Sequence, residues 1–452
     1  MQIIILGAGL VGTSLAENLL RQKHSITIIE KDPDRCAEVG EKLDALMIDG
    51  TGTSPVDLER AGIDSADMLI AATPVDEVNI IACMIARQYN VEHRIARIRN
   101  QAFIRGSERI NPADFGITRI IYPEDHTIES VLHYIETPGA VDAQDFERGS
   151  VFMRSYRITE DMPIAGKSLL DLRSESGDEF LLVVVIIREG EVIIPRGDSF
   201  ILPGDKPLFV FHRNSLKYFL TLVDAEYPAT RKAVIYGNTL TSVNIAKMVR
   251  EHLDIVVFID PDLEHGNFAA TELDGIDVLH GKGDDTDVLQ EANVRFADYF
   301  IAASSEGDEN ILAALLAKSE GAKEAIAIID DAQHTQLFQS IGIDHVVNPR
   351  QLTAAGILNA IHPGFVHSSV HIQKTDIDVL RFRVTEDCPI AGESLQDGWH
   401  KAKGKSVVGA VFRNEEIIVP KGSTILTPGD LVIVFTLSSG IKMLNKLFGV
   451  SG

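Results

Sequence analysis

Residues 49–86 of this 452-residue chain, DGTG…LERAGIDSADMLIAATPVDEVNIIACMIA, align without gaps to residues 280–317, HGKG…LQEANVRFADYFIAASSEGDENILAALLA. Gly50, Gly52, Asp67, Asn79 and Ala82 return as Gly281, Gly283, Asp298, Asn310 and Ala313. Downstream of each copy a second segment repeats as well: YRITEDMPIAGKSL (156–169) becomes FRVTEDCPIAGESL (382–395), and PRGDSFILPGD becomes PKGSTILTPGD. Chance rarely repeats two different segments in the same order, so the chain is an internal duplication of a two-part unit. Its length fits such a plan, at roughly 100–200 residues per domain.

The first part of each unit reads as α/β. IIIL (3–6), SITIIE (25–30), ALMID (45–49), MLIAAT (68–73), RIARI (94–98) and RIIY (119–122) are short apolar runs separated by helix-like stretches. Continuous rather than alternating apolar strands imply a parallel sheet covered on both faces, a doubly wound Rossmann-like lobe. DHTIESVLHYI carries Ile128, Val131, Leu132 and Ile135 at helical spacing, which predicts a connecting helix. From about residue 150 the texture changes to short β-rich runs broken by PIAG, PRGD and LPGD, predicting a small α+β lobe. The expected order is a nucleotide-binding lobe over 1–135, a small lobe over 145–225, a second Rossmann-like lobe over 231–365 and a second small lobe over 370–452.

GAGLVG, Gly7 to Gly12, follows the first predicted strand and opens a helix, which is the context a dinucleotide fingerprint requires. Gly7 permits the tight turn and Gly9 lets the backbone approach a pyrophosphate. Gly12 lets helix and strand pack closely, and the helix N–H groups face the phosphate. Glu30 ends the second strand, where a carboxylate accepts from both ribose hydroxyls and repels a 2′-phosphate, so NAD(H) is expected over NADP(H). Thr73 closes the fourth strand at the carboxyl edge of the sheet, either touching ligand or capping the helix that begins at VDEVN. Arg97, charged inside an apolar strand, either reaches a phosphate or nearby acid or lies on a wet edge; a buried guanidinium requires a partner. Gly52 is a turn glycine or a point of close approach to the ligand's adenosine side.

In the second copy Gly237 survives, but Thr239 and Ser242 stand where Gly9 and Gly12 stood. Asp260 matches Glu30 and Ser304 matches Thr73, while Ile328 replaces Arg97. Extra side chains crowd a pyrophosphate, so the expectation is a weakened, differently selective or empty site.

Composition narrows the partners. Against 42 Lys+Arg stand 66 Asp+Glu, a net charge of −24, which disfavours nucleic acid or anionic lipid recognised through a general basic surface. Cys36, Cys83 and Cys388 lack CxxC spacing and read as packing residues of a reduced, cytoplasmic protein. No leader is expected from the opening, and FLLVVVII (180–187) is far short of the ~18–20 apolar residues a spanning helix needs. His362, His367 and His371 match no standard metal spacing and read as linker, and EGDEN (306–310) reads as a solvated helix start rather than a cation site. GxSxG, HExxH, Walker A and kinase signatures are absent from the sequence.

With these features in place, the chain closely resembles the TrkA family, the cytoplasmic regulatory subunits of bacterial Trk potassium-uptake systems. The likeness covers essentially the whole chain. Its most specific stretches are IIILGAGLVGTSLAENL, SADMLIAAT with DEVN, HRIARIR and ILTPGDLVIVF. That family joins two regulator-of-conductance (KTN, or RCK) lobes, each with a small C-terminal lobe. The resemblance implies nucleotide contacts from Gly7, Ala8, Gly9, Leu10, Val11, Gly12, Glu30, Thr73, Pro74 and Arg97. In the second lobe it implies Gly237, Asn238, Thr239, Leu240, Thr241, Asp260 and Ser304. It also implies NAD(H), with ATP or ADP as further ligands, and a homo-oligomeric ring, a tetramer, peripheral on the cytoplasmic face of the inner membrane beneath a TrkH-like or TrkG-like potassium-conducting partner. A non-catalytic regulator is the expected function. An NAD-dependent oxidoreductase would need a proton-transfer group beside the nicotinamide; a soluble nucleotide sensor with another partner is the third class.

Overall fold

In the computed structural model the described residues are 1–21, 23–100, 111–146, 150–175, 177, 180–223, 231–330, 335–361, 370–371, 377–399, 402, 404–414 and 416–449. The run QIIIL forms β1 (Gln2–Leu6), and Ile3 to Leu6 are all buried, as a strand covered on both faces must be. It pairs in parallel with β2 (Ser25–Glu30) on one side and β4 (Met68–Ala71) on the other. With β3 (Leu46–Asp49), β5 (His93–Arg97) and β6 (Arg119–Ile121) the sheet runs β3-β2-β1-β4-β5-β6. The strand order reverses direction beside β1, and the carboxyl ends of β1, β2, β4 and β5 converge there.

The small lobe that follows has a five-stranded antiparallel sheet of β7 (Asp142–Phe146), β8 (Val151–Ser155), β9 (Leu181–Arg188), β10 (Glu191–Ile193) and β11 (Lys206–His212), ordered β10-β9-β11-β8-β7. The second α/β lobe repeats the first with β12 (Lys232–Tyr236), β13 (Ile255–Asp260), β14 (Asp277–His280), β15 (Tyr299–Ala302), β16 (Glu324–Ile328) and β17 (His345–Val347), ordered β14-β13-β12-β15-β16-β17. The second small sheet, β18 (Val370–His371), β19 (Ile377–Arg383), β20 (Ser406–Arg413), β21 (Glu416–Ile418) and β22 (Leu431–Leu437), is ordered β18-β19-β22-β20-β21, the first small sheet's order read from its other end. His362 and His367 lie outside the described residues, and His371 falls in β18.

The duplicates do not follow one another like beads. One compact unit comprises Met1–Glu129, Lys232–Arg250 and Val256–Ile361, bringing the two α/β lobes together; the other comprises Ser130–Arg231, Glu251–Ile255 and His362–Gly452, bringing the small lobes together. In the first unit the joining element is the helix Pro349–Ile361. It belongs by sequence to the second lobe, yet Ala354 and Ile357 are buried in one core with Val11, Leu15, Leu19, Ile3 and Ile5 of the first. The helix Pro123–Glu136 is its counterpart after β6, and both begin the same way: Thr127 Oγ1 donates to the Pro123 carbonyl at 3.0 Å, and Thr353 Oγ1 to the Pro349 carbonyl at 2.6 Å. In the other unit Val151, Met153, Val185 and Val210 share a core with Val379, Ala410, Ile433 and Phe435.

All three cysteines are buried, and burial pushes the Cys83 thiol up to about 12, as befits packing residues. Among the described residues no helix is long and apolar enough to cross a membrane.

The recurring PGD turns are fastened by buried aspartates. Asp205 accepts from Arg188 Nε and Nη2 at 2.7 and 2.8 Å and from the Leu202 N–H at 2.8 Å. Asp430 does the same with Arg413 at 2.7 and 2.7 Å and the Thr427 N–H at 2.8 Å. Burial alone would raise the Asp430 carboxyl, but the Arg413 and Thr427 hydrogen bonds outweigh it and hold its pKa below the usual range. A depressed folded-state value means that this stability is present above the unfolded pKa and is lost as pH falls through the folded one. Asp430→Asn is therefore expected to cost about 2 kcal/mol in chemical denaturation at neutral pH, with the deficit shrinking in acid. An unchanged midpoint at neutral pH would remove this role.

Candidate functional site

The chain leaves β1 through Gly7, whose φ of +94° is open to glycine and strained for other residues. The Gly7 N–H donates to the Ile29 carbonyl at 2.8 Å, so the turn is tied to β2 at once. The helix Leu10–Arg21 then starts, with no acidic side chain in its first turn to offset its positive end. A Cβ at Gly12 would overlap the Gly7 carbonyl oxygen, whereas one at Gly9 would meet nothing within 4 Å. The two glycines therefore serve different ends: Gly12 lets the helix sit against the turn, and Gly9 borders open space.

Glu30 fixes this turn from the end of β2. Its Oε2 accepts the Ala8 N–H at 2.6 Å, and its Oε1 accepts those of Lys31 and Asp32 at 2.9 and 3.1 Å. A carboxylate has about four lone-pair sites, so Glu30 keeps capacity for a ligand hydroxyl while holding the loop. Arg35 braces the other side, its Nε donating to the Ala8 carbonyl at 2.8 Å. The sequence reading did not single out Arg35; its place five residues after Glu30, in the first turn of the following helix, was the available signal.

Asn79 is a second residue whose role the sequence showed only as a recurrence. Fully buried, it accepts from the Thr73 N–H and Oγ1 at 3.0 and 2.7 Å and donates to the carbonyls of Thr73 and Arg97 at 3.0 and 2.8 Å. One side chain thus registers the ends of β4 and β5. The helix Asp76–Gln88 has Val75 as its N-cap with no side-chain cap, so Thr73 is not its capping residue. Asn310 repeats the arrangement, with the Ser304 N–H at 2.8 Å, the Ser304 carbonyl at 3.1 Å and the Ile328 carbonyl at 2.8 Å.

These ends border a cavity of about 570 Å³, within the size range of small-molecule sites. From the first lobe Gly7, Gly9, Leu10, Val11, Glu30, Arg35, Thr73, Pro74 and Arg97 line it; from the second lobe Thr239, Thr241, Ser304, Asp330 and Arg350 line the same space. Ala8 and Gly12 lie buried behind this wall. Arg97 is partly buried, and among the described residues nothing partners its Nε. Burial lowers its pKa, with Arg99 and Arg350 adding to the effect and Asp76 and Asp330 opposing it.

The second lobe's loop is built differently. The Thr239 N–H donates to Ser242 Oγ at 3.1 Å, the Ser242 N–H donates to Thr239 Oγ1 at 3.1 Å, and Ser242 Oγ donates to the Thr239 carbonyl at 2.7 Å. Backbone donors that a glycine loop offers to phosphate are here used by the loop's own hydroxyls. Asp260 is fully buried, 2.5 Å from His265 Nδ1, and accepts the Asp262 N–H at 2.9 Å. Gly237, Asn238, Leu240 and Asp260 are not among the cavity's lining residues. Among the described residues no cluster of three His, Cys, Asp or Glu could hold a metal, and Asp308 to Asn310 lie in the first turn of the helix Gly307–Ser319.

Comparison with known proteins gives the family and the fold. The TrkA-N domain model matches residues 3–123 and 233–349, and the TrkA-C domain model matches 153–223 and 379–449. The Trk system potassium uptake protein TrkA of Halomonas elongata is 31% identical, covering 100% of this chain and 99% of its own length. A TrkA homolog of Methanosarcina mazei is 30% identical over 99% of this chain and 100% of its own length. Among solved structures, the GsuK RCK domain superposes with a TM-score of 0.61 at 16% identity, covering 100% of this chain and 95% of that one. The GsuK channel bound to NAD gives 0.61 at 17% identity, covering 100% and 79%. At these identities the structural likeness speaks for the fold.

The two glycines make a direct contrast. Gly12→Ala is expected to destabilise the ligand-free chain by about 2 kcal/mol or more through overpacking, and Gly9→Ala by less than about 0.5 kcal/mol. Denaturation curves of both variants without nucleotide check this; equal losses would contradict the placement of the two residues.

Proposed function

The chain belongs to the TrkA family of Trk system potassium uptake proteins, and from that premise we propose that it is a nucleotide-sensing regulatory subunit acting on a membrane potassium transporter. The observation that carries the reading is the cavity itself: a glycine turn at a helix N-terminus, a carboxylate at the end of β2 and, at the end of β5, a guanidinium whose Nε has no partner among the described residues border one space. In the first lobe, NAD(H) would be held by Gly7, Gly9, Leu10 and Val11 at its pyrophosphate and by Glu30 at a ribose, with Thr73, Pro74 and Arg97 toward its other half. The Glu30 charge disfavours a 2′-phosphate. ATP and ADP share the adenosine and phosphate chemistry this wall recognises.

Regulation follows from linkage. A ligand that binds two conformations unequally shifts their populations, and a subunit bound to a transporter passes that bias on as a coupling free energy. We assign the chain to a homo-oligomeric ring, a tetramer, on the cytoplasmic face of the inner membrane beneath a TrkH-like or TrkG-like partner. The family relationship and the net charge of −24, which sets it against direct binding to anionic lipid, support this placement.

In a cell deleted for this protein, potassium uptake at low external potassium is expected to fall while the membrane partner remains present. Wild-type protein should restore it. Gly9→Val, which places a branched side chain in the cavity and leaves the turn intact, should fold but fail to restore uptake. Full rescue by Gly9→Val would overturn the nucleotide reading, and undiminished uptake in the deletion would overturn the regulatory one.

A further inference from the structure

The two connecting helices carry opposite charges at matching positions. Glu124 follows Pro123 at the start of one, and Arg350 follows Pro349 at the start of the other. Each approaches the lobe across from it. Glu124 lines the cavity with Thr241, in the first turn of the helix Leu240–Arg250, so a carboxylate of the protein shares the space at an N-terminus where a phosphate would be drawn. Burial pushes the Glu124 carboxyl up, against the pull of Arg99 and the Thr241 hydroxyl. The second lobe's loop thus spends donors on its own hydroxyls and has an acid of the first lobe beside it.

At the intact glycine loop the sign is reversed. Arg350 lines the first lobe's cavity together with Arg97 and Arg99. Its Nη2 is 2.7 Å from Asp330 Oδ2, with both side chains about half exposed, so this pair leaves the rest of the guanidinium fork available. The nearby Asp76 is engaged with the Arg99 and Asn100 N–H groups at 3.0 and 2.8 Å. Arg97, Arg99 and Arg350 thus line this space together with Arg35, and Asp330, the acid beside Arg350, is already paired.

Resting on the nucleotide reading above, we propose that Arg350 of the second lobe and Arg97 of the first together hold the terminal phosphate of an adenosine di- or triphosphate bound at the first lobe's glycine turn. Arg350 is then the residue that separates two ligand classes in one cavity. A nucleoside polyphosphate ends in an anion that a planar fork binds in two places. NAD(H) has its phosphates in the middle and an uncharged amide at its end, so it gains nothing at Arg350. One chain carries one composite site, and the second lobe's altered loop is part of its wall.

Calorimetric titration of the full chain with ATP, ADP, AMP and NADH tests this, using wild type, Arg350→Ala, Arg350→Lys and Gly9→Val. Arg350 is exposed enough for its removal to leave the fold intact, which an unchanged denaturation midpoint verifies. The ATP-over-AMP affinity ratio should fall at least tenfold in Arg350→Ala and recover in part in Arg350→Lys, while NADH affinity changes less than twofold. If Gly9→Val loses every ligand but Arg350→Ala keeps the wild-type ATP-over-AMP ratio, or loses ATP and NADH equally, the role of Arg350 fails and the nucleotide site stands. If wild type binds none of the four, or Gly9→Val binds them like wild type, both fail.

Discussion

Ala354 and Ile357 are buried in the core of the lobe they do not belong to by sequence, and most of the first unit's arrangement depends on that exchange. A lone doubly wound lobe must cover the helix Leu10–Arg21 with something, because Val11, Leu15 and Leu19 leave a broad apolar surface. Here the cover comes from the other copy. The same packing sets Pro349 and Arg350 over the carboxyl end of the first sheet and makes one cavity out of two lobes.

Duplication with exchange gives the copies different futures. In the first, side chains keep the turn open: Glu30 and Arg35 grip Ala8 from either side, and Gly9 contributes only backbone. In the second, each replacement closes something. Thr239 and Ser242 satisfy each other, His265 stands where Arg35 stood and takes Asp260, and Tyr236, in place of Leu6, sends its hydroxyl to Glu309 at 3.0 Å. Most of these contacts are complete within the lobe, while the buried His265 Nε2 has no partner among the described residues. The Asn79 and Asn310 knots, by contrast, are retained in both copies because each registers strand ends that every lobe of this kind must align.

Much of this was legible in the sequence. The six strands of the first sheet fall within two residues of their apolar runs, because a parallel strand buried on both faces leaves an unbroken hydrophobic signal. Gly12's packing role was legible for a similarly local reason. The company of Asp260 was less legible: by position it matches Glu30, but the histidine five residues on, 2.5 Å from it, leaves no periodic trace. Arg350 was hidden for a different reason. Its neighbours in the cavity, Arg97 and Arg99, are some 250 residues away in the chain, brought close only by the exchanged helix. The shared cavity could not be read from two copies considered one at a time.

The central claim is that one nucleotide engages both lobes at once. Hydrogen exchange of the intact chain, followed across a titration with ATP, measures this most directly. The account predicts that the Gly7–Val11 turn, the Thr239–Thr241 loop and the start of the helix at Pro349 gain protection together, with one common midpoint. Protection confined to the first turn, or a separate midpoint for the second lobe's loop, would contradict it.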